Sequence, residues 1–433
     1  MYLANEVNQF LDNRTTNINY ALNLVLTQKI GKKLYIEPAL RFGTQVDILD
    51  RVQGLQMPMP QAIDSLSPRF EKNYTFFRPG VRFNRNTEKI RLSLGLQAEA
   101  GNLNNTLDKK TPDEKGYFFL LPSLSWENEY RTGKRVMLNF NSSVNTPMVS
   151  QLLPVVNNMN PLSVVRGNPD LKPEYSNRIG FHWLYFDQFS FTSLFAGLNA
   201  GHTRNKIAWD RTIRPNLMQQ STYFNSDHDF SMGGNASFST PVRQLGIKLN
   251  LNLEDNWSRG LNRINQTDNI CTNWSHRISL SADNRKKEKV DVNTGVEVSF
   301  TRSRYSIQEE LDNDYFDISW FGEIRYNPNK NWNFEATADI TRYTAKSFGE
   351  TVNIPLIGAE ITRHFLRNNR GALTLRCFDL LKQNQIVQRL SELNYLREIR
   401  SNSMGRYVML TFAYRLNKFG NAPGSIDVKV RRN

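Results

Sequence analysis

Residues 247–254 read Ile-Lys-Leu-Asn-Leu-Asn-Leu-Glu, and this alternation decides the fold. Ile247, Leu249, Leu251 and Leu253 share one parity; Lys248, Asn250, Asn252 and Glu254 share the other. Successive side chains of a β-strand point to opposite faces, so the segment is a strand with one oily and one wet face. The same dyad sets Leu92, Leu94 and Leu96 against Arg91, Ser93 and Gln97. It sets Val296, Val298 and Phe300 against Glu297 and Ser299, and Phe334, Ala336, Ala338 and Ile340 against Glu335, Thr337 and Asp339. Strands of a soluble sandwich are commonly about 5 or 6 residues long, whereas a tilted strand crossing a bilayer needs about 9 to 11. The longer runs here predict an all-β fold, a transmembrane antiparallel up-and-down β-barrel, with Leu249, Leu251, Val296, Val298, Phe334 and Leu410 on its outer face.

Bulk composition is compatible with that reading. The 433 residues are 39% hydrophobic with a mean hydropathy of -0.55. In a wide barrel only alternate residues meet lipid and the others line water, so a low mean is expected. Aromatic residues make up 11% of the chain. Many lie at strand ends (Trp126 and Tyr130, Trp183 and Tyr185, Trp274, Tyr326, Trp332, Tyr343, Tyr407, Tyr414), where they suit two interfacial girdles. Cys271 and Cys377 are too few and too far apart for a disulfide framework or zinc site, and Cys377 shares parity with Leu373 and Leu375 as a small lipid-facing residue. His182, His202, His228, His276 and His364 have no metal-ligand spacing, so no metal or other cofactor is expected. The formal net charge is +14, but Lys and Arg are spread over turns, loops and inward strand positions rather than gathered into a nucleic-acid motif. At the membrane boundary they suit lipid phosphates, including lipopolysaccharide, and in a lumen they favour anionic solutes.

Turn signals divide the chain into hairpins whose connections alternate in length. Short ones fall at Gly31-Lys32-Lys33, 86–89, 131–134, Asp187-Gln188, 242–244, 285–289, 327–330 and 367–371. Long ones are expected at 48–73, 103–115, 146–170, 213–219, 259–268, 307–314, 346–351 and 381–404. Short periplasmic turns alternating with longer extracellular loops are the mark of an outer-membrane barrel. Counting from Thr16 gives about 17 strands, an odd number where single-chain bacterial barrels are even. Residues 1–15 then read as an extracellular-loop remnant, 16–419 as the barrel and 420–433 as a periplasmic tail. The start, Met1 to Glu6, has no secretory signal, so the chain is expected to be a fragment, an excised domain or a gene model missing its start. One or more N-terminal strands are expected to be missing, with a 22-stranded whole a fitting total.

One segment stands out from the alternation. It runs Gln151-Leu152-Leu153-Pro154, Asn160-Pro161-Leu162 and then Gly167-Asn168-Pro169-Asp170-Leu171-Lys172-Pro173-Glu174. Pro169 and Pro173 fix two φ angles and hold the residues before them extended, which stiffens the return of a long loop into the strand near Tyr175. Here the chain resembles the barrel of TonB-dependent outer-membrane receptors, and more narrowly the outer membrane protein beta-barrel family related to them. A second likeness lies in 375–384, with its Asp379-Leu380-Leu381 and Asn384, and in the closing strand from Arg406 to Leu416. The sequence departs from relatives at Asn145-Thr146-Pro147, where they often carry arginines before the loop proline.

The resemblance implies a receptor and transporter of the Gram-negative outer membrane, importing a solute that it does not identify. It also implies an N-terminal plug, absent from this sequence, an inner-membrane TonB energy complex and a possible surface lipoprotein. Arg91, Lys248, Glu254, Asp291, Glu297, Glu335 and Asp339 are candidates for the lumen lining, and equally ordinary solvated inward positions. A passive pore or structural barrel without energy coupling is the alternative. With no nucleophile elbow and no HExxH, an enzyme is not expected, nor is nucleic acid as a partner.

Overall fold

The computed structural model describes residues 8–56, 60–110, 113–215, 218–307, 309–345, 351–391, 396–402 and 405–416. Nearly all of them belong to one 23-stranded sheet. Its wall is an antiparallel meander in which each strand pairs with the next wall strand along the chain. It opens with Gln9–Val25, Leu34–Leu55, Arg69–Asn86, Ile90–Leu107, Asp113–Arg131 and Lys134–Asn145. Glu174–Asp187, Thr192–Arg204, Phe230–Val242, Ile247–Ile264, Thr267–Asn284 and Val290–Tyr305 follow. Asn313–Asn329, Trp332–Ala345, Val352–Phe365, Gly371–Phe378 and Tyr407–Tyr414 complete it. These are seventeen wall strands, the number read from the turns. No helix among the described residues is long and apolar enough to cross a membrane. Within the same residues no ladder joins Gln9–Val25 to Tyr407–Tyr414, which leaves a seam between the first and last strands.

Register carries the parity across the wall. Leu251 lies opposite Leu280, which lies opposite Val296, then Trp320 and Ile340. One residue along, Asn252, Ser279, Glu297, Ser319 and Thr341 form the neighbouring row on the other face. The apolar rows are uncovered, with Leu410 66% exposed, whereas the polar rows face the side on which a long loop folds in. The apolar face is therefore the outer one. Cys377, between Ala359 and Val408, shares it with Leu373 and Leu375.

Three expectations need correction. The first strand starts at Gln9 rather than Thr16: Gln9–Thr15, expected in the loop remnant 1–15, pair with residues 49–55. Polar residues 12–15 disguise this stretch because it projects above the membrane. Likewise the stretches expected as long loops at 103–115 and 259–268 are mostly strand. The second closes in a tight turn at Asn265-Gln266, with φ of 50° and 65°, the left-handed pair that a two-residue hairpin requires. Finally, the connection expected at 213–219 is the tip of a larger excursion from Asn205 to Asp229 that contains its own hairpin, Lys206–Ile213 with Gln219–Ser226. The expected tail, 420–433, lies outside the described residues.

Candidate functional site

The outer face itself marks where the membrane ends. Phe42, Phe77 and Phe118 are exposed on it, and the next row towards the long loops is polar, Thr44, Thr75 and Asn102. There the Thr44 hydroxyl lies 3.2 Å from that of Thr75 and donates to Asn73 Oδ1 at 2.9 Å. Strands such as Leu34–Leu55, 22 residues long, run on past this row, since about 9 to 11 residues suffice to cross the bilayer. The first five strands thus raise a palisade above the membrane, and its inner face carries Asp47, Leu49, Arg51, Gln53, Phe70 and Lys72.

Residues 146–171 fold onto that inner face. A one-turn helix, Val149–Leu152, with Leu153 and Leu171, buries its side chains against Leu49 and Phe70, with Leu107, Val155, Ile207 and Tyr223 packed around them. Burying a Leu or Phe side chain contributes about 1.5 to 3 kcal/mol, enough to hold a short helix that has no stability of its own.

Polar side chains fix the position of the loop. Lys72, 1% exposed, pairs with Asp47 at 2.5 Å and donates to Thr146 Oγ1 at 3.2 Å and to the Pro147 carbonyl at 3.1 Å. Thr146 is therefore an anchor point of the loop. Arg51 donates to the carbonyls of Val155 and Val156, each at 3.5 Å, and Gln53 Nε2 donates to Asn158 Oδ1 at 2.5 Å. Below them Glu99, wholly buried, accepts from the Tyr74 hydroxyl at 2.5 Å and pairs with Arg78, whose guanidinium sits 5.0 Å from the Phe76 ring centre. Asp47 Oδ1, Gln53 Oε1 and both side-chain polar atoms of Asn105 are buried without a hydrogen-bond partner. Buried polar atoms of this kind are where water or the polar groups of a solute bond.

The Gly167 to Glu174 segment fastens the far end of the loop. The Gly167 amide donates to the Leu153 carbonyl at 2.9 Å and the Asn168 amide to that of Gln151 at 2.7 Å. A Cβ on Gly167 would stand 2.4 Å from the Leu153 oxygen, so the close approach requires glycine. Asn168 Nδ2 donates to the Tyr223 carbonyl, while Asn225 accepts from the Lys172 amide at 2.8 Å and donates back to the Lys172 carbonyl at 3.0 Å. Lys115 reaches the Pro169 carbonyl at 3.0 Å and Asp170 at 2.9 Å. Glu174 accepts from the Ile207 amide and pairs with Lys206. Ser163–Val165 then add in parallel to 219–221, making the loop and the 206–226 hairpin one small sheet.

Most of the lumen candidates read from the sequence fall into ion-pair rows of the wall, away from this loop. Arg277 bridges Glu254 at 3.1 Å and Glu297 at 3.3 Å. Arg325 joins Glu335 and Glu323, Asp291 holds Lys287, and Arg91 holds Glu127. Lys248 shares a row with Asp283, and Asp339 one with Phe321 and Leu356. The residues that grip the loop, Arg51, Gln53 and Lys72 with its partner Asp47, and the buried Glu99 below them, were missed. Their inward parity was available in the sequence, but nothing in it showed that a segment some hundred residues away covers them.

The model of the outer membrane protein beta-barrel family matches residues 3–414, and the chain belongs to that family. It is accordingly an integral barrel of the outer membrane. No curated protein matches it.

Proposed function

We propose that this member of the outer membrane protein beta-barrel family is the barrel of a TonB-dependent receptor, taking up a solute across the outer membrane. The observation that carries the reading is the Gly167 to Glu174 segment, which fastens the far end of a loop folded onto the inner face of the wall. A generic pore needs no such clamp. On this reading the loop and the unpartnered polar atoms of Asp47, Gln53 and Asn105 form the outer part of a solute path. The ion-pair rows continue the path, and the chain is a conduit rather than an enzyme. A plug, the TonB energy complex and possibly a surface lipoprotein are its partners in the same proposal.

Uptake by cells carrying the native protein tests it. Uptake should stop when the inner-membrane energy complex is deleted. Uptake that continues unchanged contradicts energy coupling and favours a passive pore.

A further inference from the structure

The short-turn end of the barrel is built unlike the long-loop end. Each short turn is tied to the next by a hydrogen bond. The Lys33 carbonyl accepts from Asn86 N, that of Lys89 from Glu129 N, and that of Gly133 from Phe186 N. Phe189 O accepts from Arg243 Nη2, Gly246 O from Arg285 N, Lys289 O from Asn327 N and Asn331 O from His364 N. The rim is therefore a continuous hydrogen-bonded edge, periplasmic by the rule that short turns face that side.

This edge is basic, and apart from Lys287, which Asp283 and Asp291 hold, much of its charge has no internal partner. Lys32, Lys33, Arg131, Arg285, Lys286 and Lys330 are exposed and, among the described residues, have no carboxylate in ion-pair reach. Glu88, Asp187 and Glu288 are the acidic residues of the same turns. At the long-loop end several cations are paired, Arg69 with Asp50, Arg263 with Asp268, Arg302 and Arg304 with Asp314, and Lys206 with Glu174, while the exposed Lys109, Lys110 and Lys172, among the described residues, are not. Cations without internal partners bind anions from outside.

Aromatic and apolar groups place that edge at a membrane surface. On the outer face just inside the rim, Trp183 Nε1 donates to the Tyr130 hydroxyl at 3.1 Å, and Lys134 lies 4.5 Å over the Tyr185 ring. Arg363 lies 5.4 Å over Trp332. Phe189, 88% exposed, with Phe191 and Leu245 forms an apolar knob on two adjoining turns. Rings of this kind sit at headgroup depth.

We propose that the short-turn rim is a seat for anionic glycerophospholipids of the inner leaflet, its free lysines and arginines binding their phosphates while Phe189, Phe191 and Leu245 enter the acyl boundary. The distribution favours lipid over an acidic protein, because the cations follow the rim turn after turn instead of forming one patch. Lipopolysaccharide occupies the opposite leaflet, at the long-loop end, so it does not meet this rim.

Tryptophan quenching tests the proposal. The whole chain, folded in zwitterionic micelles, is titrated with phosphatidylglycerol or phosphatidylcholine carrying brominated acyl chains. Each surface Lys or Arg adds about 1 kcal/mol to attraction by anionic lipid, roughly fivefold in binding. Phosphatidylglycerol should therefore quench at several-fold lower concentration than phosphatidylcholine. Replacing Lys32, Lys33, Lys286 and Lys330 by Gln should remove the preference, the same four changed to Arg should retain it, and Lys109→Gln with Lys110→Gln at the other end should leave it intact. Circular dichroism and heat-modifiable mobility confirm folding of each variant. If the Gln variant fails to fold, the unaltered chain decides: its preference should collapse at about 0.5 M salt, where charges are screened. Equal quenching by the two lipids, a preference that survives the Gln changes or the salt, or one lost equally from the loop-end variant overturns the proposal.

Discussion

At the long-loop end Lys72 is buried between Asp47 and the Pro147 carbonyl, while at the short-turn rim Lys286 stands in water with no carboxylate in reach. The same residue type does opposite work in the two places. Above the membrane the wall is a scaffold for a loop, so Arg51 and Lys72 beneath that loop are desolvated and every donor of Lys72 meets an oxygen of the protein. At the rim the backbone supplies all but one of the turn-to-turn bonds named, Arg243 making the other, and Lys286 and its unpaired neighbours are left for the surroundings. The difference shows where the molecule invests its side chains in shape and where it leaves them for binding.

The largest effect is expected at the buried pair. Lys72→Ala leaves Asp47 buried without its partner and the Pro147 carbonyl without a donor, a change that typically costs about 3 to 5 kcal/mol. Urea unfolding from lipid vesicles measures it, and a loss as small as that of an exposed lysine would break the contrast between the two ends.

The wall between them gives the next largest effect. Leu251→Arg faces lipid and is expected to cost about 2 to 4 kcal/mol near the midplane, whereas Asn252→Arg, one residue on and facing the lumen, should be mild. Equal losses would remove the face assignment on which both ends depend.

Gly167→Ala should cost about 1 to 3 kcal/mol, the usual range for forcing a methyl into a filled space. Its signature is local: protease cleavage within 146–171 should quicken while the wall stays resistant. Uniform protection would mean that the loop is not clamped by its close approach to Leu153. Smallest of all, Lys286→Ala at the rim should leave the unfolding midpoint unchanged, and a clear shift would reveal a structural partner there.

The strand count, the outer face and the short turns were legible because each is written locally, in parity and in turn residues. Leu251 and Val296 are placed outward by their own neighbours in sequence. Polar strand ends such as 12–15 and 259–264 were read as loop because they leave the membrane, and above it both faces of a strand meet water. The Gly167 to Glu174 clamp was visible as an unusual segment, and its prolines as stiffeners. Its partners Tyr223 and Asn225 were not, since side-chain pairing across some fifty residues leaves no periodic trace. Nor was the seat of Lys72 between Asp47 and Pro147, which exists only once the wall has curled and the loop has folded in.

A single-cysteine scan through Ile247 to Glu254, with Cys271 and Cys377 replaced by Ser, tests the central claim most directly. In vesicles, cysteines at 247, 249, 251 and 253 should react with a lipid-soluble maleimide and resist a charged one, and those at 248, 250, 252 and 254 should do the reverse. Reactivity without a two-residue period, or with the parities exchanged, would contradict the barrel as described.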